Sequence, residues 1–189
     1  MISGDRPTHL LILVSLAGIS ALLSFALWPV FLTSLGREWG LSNTDIGFVS
    51  GTYFLGYLLA TPILVGLTDR IDARLIFLGG CAFGTVGCLG FALLARDFWS
   101  AASCWTLVGA GLAGTYMPGL QILNARLDDA ARVRSVPWYT ACFGIGTVTS
   151  FALMGVLLAY ADWRLAAYIG AGGAMLAAML VLFLVQSCP

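Results

Sequence analysis

The 189-residue sequence has little charge. It contains no lysine and one histidine, only 10% of its residues are charged, and nine arginines balance nine acidic residues to a net charge of zero. Nucleic-acid-binding proteins need a basic surface for phosphate, so we predict no nucleic-acid partner. A chain that is 60% hydrophobic is also not intrinsically disordered.

Metal-binding and catalytic motifs are missing as well. The five cysteines show no CxxC spacing, and one histidine cannot complete a Cys/His zinc set. The sequence contains no G-x-S-x-G and no H-E-x-x-H, and its apolar runs hold no pair of aspartates. We therefore predict no enzyme activity, with no catalytic residue, no metal and no cofactor.

Long apolar runs are abundant. The mean hydropathy is +0.95, and a soluble domain of this size cannot bury the apolar surface that such a composition brings. A membrane-spanning helix needs about 20 apolar residues. Six stretches qualify: Leu10–Leu35, Thr44–Thr68, Arg74–Ala95, Phe98–Ala125, Pro137–Tyr160 and Arg164–Ser187. The prediction is an all-α integral membrane protein, with residues 1–189 forming one six-helix domain in a lipid bilayer.

The distribution of arginine predicts the orientation. With a cytoplasmic amino terminus, six arginines lie inside and three lie outside, as the positive-inside rule favours. The inside set is Arg6, Arg70, Arg74, Arg126, Arg132 and Arg134. The use of arginine without lysine is typical of a GC-rich bacterial genome. We predict a multi-pass protein of a bacterial inner membrane, with both termini cytoplasmic.

The two halves of the chain resemble each other at an offset of 90 residues. The tetrapeptide that begins at Asp72 matches the one at Asp162 in its Asp, Arg and Leu, and Gly56 and Gly80 fall on Gly146 and Gly170. Each half, about 10–95 and 98–187, holds three spans, so the second copy must be inverted, as in many secondary transporters. The alternative is that D-x-R-L only marks an ordinary helix start.

The segment Val65–Arg74, between spans two and three, resembles the loop signature of the major facilitator superfamily, roughly G-x-L-A-D-R-x-G-R-R. It keeps Leu67, Asp69, Arg70 and Arg74. The glycine-rich fourth span and the Trp-Arg pair before the sixth span are also similar to that family. Trp105 stands where many proton-coupled members have arginine, and span five lacks the Gly-Pro motif of drug/proton antiporters.

The resemblance implies a transporter that works by alternating access. Such transporters have twelve spans in two six-span halves, and this sequence matches the amino-terminal half. Either the sequence is truncated, or the chain pairs with a partner: a second copy of the chain or a separate six-span chain. The rival interpretation is a non-transporting membrane subunit, or a remnant that lacks its second half.

No charged side chain lies near the centre of a predicted span, which favours a neutral solute. In the family, spans one and four line the cavity. The resemblance therefore implies four substrate-binding residues: Ser24, Trp28, Tyr116 and Gln121. The alternative is structural, since Ser bonds helix carbonyls and joins helices, while Trp and Tyr mark membrane interfaces.

The charges between spans predict a gate on the cytoplasmic side. We expect Arg70 and Arg74 to pair with Asp128 and Asp129 and so to latch spans two, three and four together. The resemblance implies that Asp69 docks on the other half when the carrier faces outward. The alternative is a set of solvated loop charges, each pair worth under about 1 kcal/mol.

Overall fold

A computed structural model describes the backbone of residues 5–187 and the side chains of residues 8–183. This part of the chain forms seven α-helices: α1 Asp5–Ala21, α2 Leu27–Glu38, α3 Asn43–Leu67, α4 Ala73–Leu94, α5 Phe98–Arg126, α6 Asp129–Tyr160 and α7 Trp163–Ser187. A 3-10 turn, Leu22–Ser24, follows α1. We call the interrupted segment from α1 to α2 span one.

Five segments of the described chain are long and apolar enough to cross a membrane: Thr8–Glu38, Asn43–Leu67, Ala73–Leu94, Asp129–Tyr160 and Trp163–Phe183. The predicted all-helical membrane protein is confirmed at this level. The sixth long segment, α5, is less apolar because hydroxyl, amide and glycine residues recur along its 29 residues. It is also highly enclosed, since it packs on both α3 and α4.

Polar residues between the apolar runs begin the helices. Ser42 and Asp97 each form a capping box at the start of α3 and α5. Asp72 and Asp128 accept hydrogen bonds from the N–H groups of Arg74 and Ala131. These side chains satisfy backbone donors that a helix amino terminus leaves free.

The structure differs from the predicted spans in two places: the start of span five and the continuity of span one. The charged segment before Pro137 is helical, because α6 begins at Asp129 and only two residues separate it from α5. Span one is not one continuous helix, since its regular structure breaks between Ala21 and Leu27. Pro29 cannot donate a helical hydrogen bond, and it is accommodated in the first turn of α2.

Glycines let the helices cross closely. A Cβ on Gly80 of α4 would lie 2.5 Å from the carbonyl carbon of Gly114 in α5. Gly56 of α3 lies against Thr106 of α5, and Gly146, 90 positions later, lies against Leu22 of span one. Likewise Gly170 of α7 lies against Ser24 of span one. The glycines matched at that offset therefore make corresponding contacts, each with the first span of the opposite half.

Two groups of buried side chains fill the bundle. One is aromatic and includes Trp28, Phe91, Trp105 and Trp163. The other surrounds Phe77 and Tyr139 nearer the opposite end. Helices α3 and α6 are much less covered than the other apolar spans. Only 17% of the most apolar stretch of each of these two helices is buried.

Candidate functional site

A cleft opens between span one, α3, α5 and α6. Its volume is about 350 Å³. Six side chains line it: Phe25, Phe54, Tyr57, Leu112, Tyr116 and Phe143. None of the six is charged, and two of them, both tyrosines, carry a hydroxyl. The cleft can therefore accommodate an apolar group and offer few hydrogen bonds.

Aromatic contacts fix the deep wall of the cleft. The ring of Tyr116 is stacked on Tyr139 at 5.9 Å and meets Phe143 edge-on at 5.1 Å. The Tyr139 hydroxyl donates to the carbonyl oxygen of Tyr116 at 3.1 Å, and Gly119 provides the space that the Tyr139 ring needs. This wall joins α5 to α6.

A smaller space, which we call the recess, lies behind this wall. It is lined by Gly18, Leu22, Leu112, Thr115, Tyr116, Tyr139, Cys142 and Phe143. Its volume is about 10 Å³, enough for about one water molecule. The recess therefore connects the wall of the cleft to the 3-10 turn of span one.

The structure separates the four predicted substrate-binding residues. Tyr116 lines the cleft, as expected for its helix. Gln121 lies about one turn farther along α5 and faces the α3–α4 corner described below. Ser24 is 5% exposed and packs against Gly170, so it points to α7 and not into the cleft.

Trp28 departs from the prediction in the same way as Ser24. It is fully buried, and its indole Nε1 donates to the Ser50 hydroxyl at 2.9 Å. Its ring is stacked on Trp39 at 6.4 Å and meets Phe91 at 6.2 Å. The interruption of span one includes Ser24, which packs against α7, and ends before Trp28, which bonds to α3.

The predicted gate residues lie in two places. Segment 68–74, which we call the corner, joins α3 to α4 and faces the end of α5 across a cavity of about 760 Å³. Three buried atoms on α5 near this corner have no hydrogen-bond partner among the described residues: Gln121 Oε1, Asn124 Oδ1 and Arg126 Nη1. The polar residues that face the corner from α5 are therefore two amides and Arg126, and neither Asp128 nor Asp129 lines this cavity.

The predicted latch is absent from the described part of the chain. Arg74 pairs with Asp72 at 3.3 Å, and Arg132 pairs with Asp129 at 3.2 Å. Asp128 caps α6 and lines a different cavity with Arg134 and Trp138. Short-range partners were available on the same helix end or loop, and they replace the longer-range pairs that we expected.

Two residues matter more than the sequence indicates. Arg132 donates to the carbonyl oxygens of Asn124 and Leu127 at 2.8 and 3.2 Å, and so caps the end of α5. Ser150 bonds the interrupted backbone of span one. An arginine just after a helix end is a readable signal, but nothing in the sequence points from Ser150 to residues more than 120 positions earlier.

Asp97, at the opposite end of the bundle, is held as an anion. Hydrogen bonds from the backbone N–H and the hydroxyl of Ser100 lower the pKa of its carboxyl group. The cap at the start of α5 is therefore formed by a carboxylate.

Comparison with known proteins gives the family. The sequence profile of the Major Facilitator Superfamily matches residues 13–187. The "Probable sphingolipid transporter spinster homolog 1" of Arabidopsis thaliana is 27% identical over 143 residues, which cover 74% of this chain and 28% of that protein. A voltage-gated purine nucleotide uniporter of Rattus norvegicus is 26% identical, with 76% and 33% covered.

The niacin transporter NiaP of Acinetobacter baylyi is 21% identical, with 74% of this chain and 31% of that protein covered. The chain thus spans about a third of the length of these curated relatives. The resemblance found in the sequence is confirmed by a match over nearly the whole chain, and the chain belongs to the Major Facilitator Superfamily.

Proposed function

We propose that this chain is the amino-terminal six-span half of a secondary transporter that moves a small solute across the membrane by alternating access. The observation that carries this proposal is the cleft. It lies between span one and α5, on the side of the bundle where α3 and α6 are least covered. A wall of this kind becomes a cavity when a second half closes it.

The solute is proposed to be neutral where it meets this half. A buried charge needs a partner of opposite sign, and the six lining side chains provide none. The named substrates of the relatives include a sphingolipid, purine nucleotides and niacin. These compounds differ widely in charge and size, so the lining residues and not the relatives support the choice of class.

A second half is supported by unpartnered surfaces. A Cβ at Gly47 or Gly51 of α3 would meet nothing within 4 Å, and the groove around them also exposes Phe48 and Leu55. Small residues in lipid favour close helix packing. The unpaired amide oxygens of Gln121 and Asn124 likewise need donors. The proposed occupant is a second six-span half, whether the continuation of a longer chain, a second copy or a separate chain, and Asp69 would dock on it.

The proposed arrangement is a 3+3 inverted repeat, about 10–95 and 98–187, with both termini cytoplasmic in a bacterial inner membrane. The corresponding contacts of the paired glycines support the repeat. Cysteines introduced in segment 126–134 should react with impermeant reagents from the cytoplasmic side. Reaction from the periplasmic side alone would overturn the orientation.

Solvent access to the cleft tests the function. Cys142 and Cys188 are first replaced by serine, and single cysteines are placed at Leu112 in the cleft and at Val86, an exposed residue of α4. In membranes that hold the assembled protein, an impermeant maleimide should label the Leu112 site and spare the Val86 site. Labelling of neither site, from either side, would contradict an aqueous path and favour the rival interpretation, a non-transporting subunit.

A further inference from the structure

Span one is interrupted where it passes α6. In the 3-10 turn, the N–H of Phe25 donates to the carbonyl oxygen of Leu22 at 2.9 Å. In a regular α-helix that carbonyl would accept from the N–H of Ala26. Ala26 has therefore lost its helical acceptor, in a segment that lies midway along a proposed membrane span. Hydrocarbon offers no water to replace it.

One hydroxyl repairs this break. Ser150 of α6 is completely buried, and its Oγ accepts a hydrogen bond from the Ala26 N–H at 3.0 Å. The same hydroxyl donates to the carbonyl oxygen of Leu23 at 2.8 Å. Both bonds join residues more than 120 positions apart in the sequence. Ser150 thus connects α6 directly to the interrupted backbone.

A small-residue face on α6 makes this reach possible. One turn before Ser150, a Cβ added to Gly146 would lie 2.8 Å from Leu22 Cδ1 and 3.3 Å from Ile19 Cα. The glycine therefore lets α6 approach the turn closely, and the short serine side chain spans the remaining distance. A larger residue at position 146 would move the hydroxyl away from the backbone that it bonds.

The break places Phe25 in the cleft. Its ring is part of the lining, with its centroid 5.6 Å from that of Tyr53 and 6.3 Å from that of Phe143. We propose that Ser150 is a positioning residue of the cleft, because its two hydrogen bonds to span one set where the Phe25 ring lies. The importance of this position rests on the proposed function, whereas the contact itself can be tested without transport.

The chain carries its own reporter for this contact. Cys142 is half-buried and lines the recess together with Leu22 of the 3-10 turn, and the recess admits little more than a water molecule. Cys81, Cys88 and Cys104 are buried elsewhere in the bundle. Faster alkylation of Cys142 alone therefore reports a local change at the turn, and alkylation of all four reports unfolding. Cys188 lies outside the described residues and is replaced by serine.

The experiment measures the rate of N-ethylmaleimide alkylation in lipid nanodiscs. Ser150→Ala removes both hydrogen bonds and should raise the rate at Cys142 by about threefold to tenfold, the scale of a lost hydrogen bond. The matched control is Thr149→Ala, since that hydroxyl donates only to Ile145 of its own helix. The control should leave the rate unchanged. An unchanged rate in Ser150→Ala would overturn the proposal.

Phe25→Ala decides whether Ser150 acts through this ring. Phe25→Ala alone should also raise the alkylation rate of Cys142. The double variant, Ser150→Ala with Phe25→Ala, should react little faster than either single variant. If the two substitutions raise the rate independently, so that their fold-changes multiply in the double variant, the positioning role is overturned.

Amide exchange of the unaltered chain does not depend on any variant folding. The Ala26 N–H should be protected like its helical neighbours, although it has no helical acceptor. Exchange as fast as that of Gly40, in an exposed turn, would overturn the contact. Because none of these measurements uses transport, the contact can fail while the access test at Leu112 succeeds, or the reverse.

Discussion

At the end of α5, the Arg132 guanidinium binds two carbonyl oxygens that the helix leaves free, those of Asn124 and Leu127. It also pairs with Asp129, whose side chain is almost fully exposed. The carbonyl bonds are therefore the more valuable contacts, because the ion pair is screened by solvent. The charge of Arg132 therefore stabilises mainly the end of α5.

We expect Arg132→Ala to lower the free energy of unfolding by about 1 kcal/mol, because two helix-end carbonyls lose a charged donor. Thermal unfolding in detergent, followed by circular dichroism, measures the change. Arg134→Ala removes the same charge from an exposed position two residues later and should have little effect. Equal losses in the two variants would show that net charge, and not the cap, matters.

Asp69 presents the opposite case. It is exposed at the corner, and no ion pair in the described chain includes it. Asp69→Asn should therefore leave thermal unfolding unchanged. If it docks on a second half, the variant should lower transport by the assembled protein about tenfold, since one conformational state loses a contact. Normal transport would make Asp69 a bystander. Asp162→Asn, at the other end of the bundle, is the control.

Among the helices, α5 depends on close crossings and on its cap. Gly80, Gly111 and Gly114 bring α4 and α5 into backbone contact. Lipid gives helices no hydrophobic reason to associate, so contact of this kind stabilises the pair through packing. Helix α5, which is less apolar than the other spans, is thus held in place by packing against its neighbours.

Adjacent glycines test this crossing. Gly80→Ala should destabilise the chain by about 1–3 kcal/mol, because the new methyl group meets the backbone of α5. Gly79→Ala is the matched control, since a Cβ there meets nothing within 4 Å. It should be neutral or slightly stabilising through helix propensity. The two variants are compared by thermal unfolding in the same detergent, and similar melting temperatures would refute the close crossing.

The cap of α5 should make stability depend on pH. The folded pKa of Asp97 is depressed, so its contribution is present above the unfolded pKa of about 3.9 and is lost as pH falls through the folded value. At neutral pH, Asp97→Ala should melt below the parent, and Arg96→Ala should not. The difference should shrink below about pH 4. A difference independent of pH would show that the carboxylate is not the cap.

How much the sequence predicts differs between elements. Apolar length gives the helices, because the bilayer sets that length. Four of the six predicted spans agree with the structure within about one residue at each end, the usual uncertainty of helix ends. The interruption of span one could not be predicted, because its backbone partner, Ser150, lies on a helix far along the chain.

The candidate site shows the same division. Tyr116 lies at the cleft because its helix continues unbroken to that point, and its role in binding stays a prediction. Ser24 and Trp28 lie away from the cleft, in a segment whose helix is interrupted between Ala21 and Leu27. Phe25, Phe54, Tyr57 and Phe143 were missed, since aromatic residues in an apolar run are usual anywhere in a membrane protein.

At the scale of the whole molecule, the bundle has one covered side and one open side. The cleft and the open glycines of α3 lie where α3 and α6 have few neighbours. The central claim is that a second six-helix half covers this side. Ser24 does not suit a crosslinking test of that claim, because it is buried against α7. Gly51 is exposed and meets no neighbour.

The most direct measurement places a photoreactive amino acid at Gly51, illuminates intact membranes, and identifies the crosslinked peptides by mass spectrometry. Val86, exposed on α4, is the control position. The account predicts that Gly51 crosslinks to a membrane-spanning helix of a second half, whether the continuation of a longer chain, a copy of this chain or another chain, and that Val86 crosslinks to lipid. Crosslinks to lipid alone from both positions would contradict it.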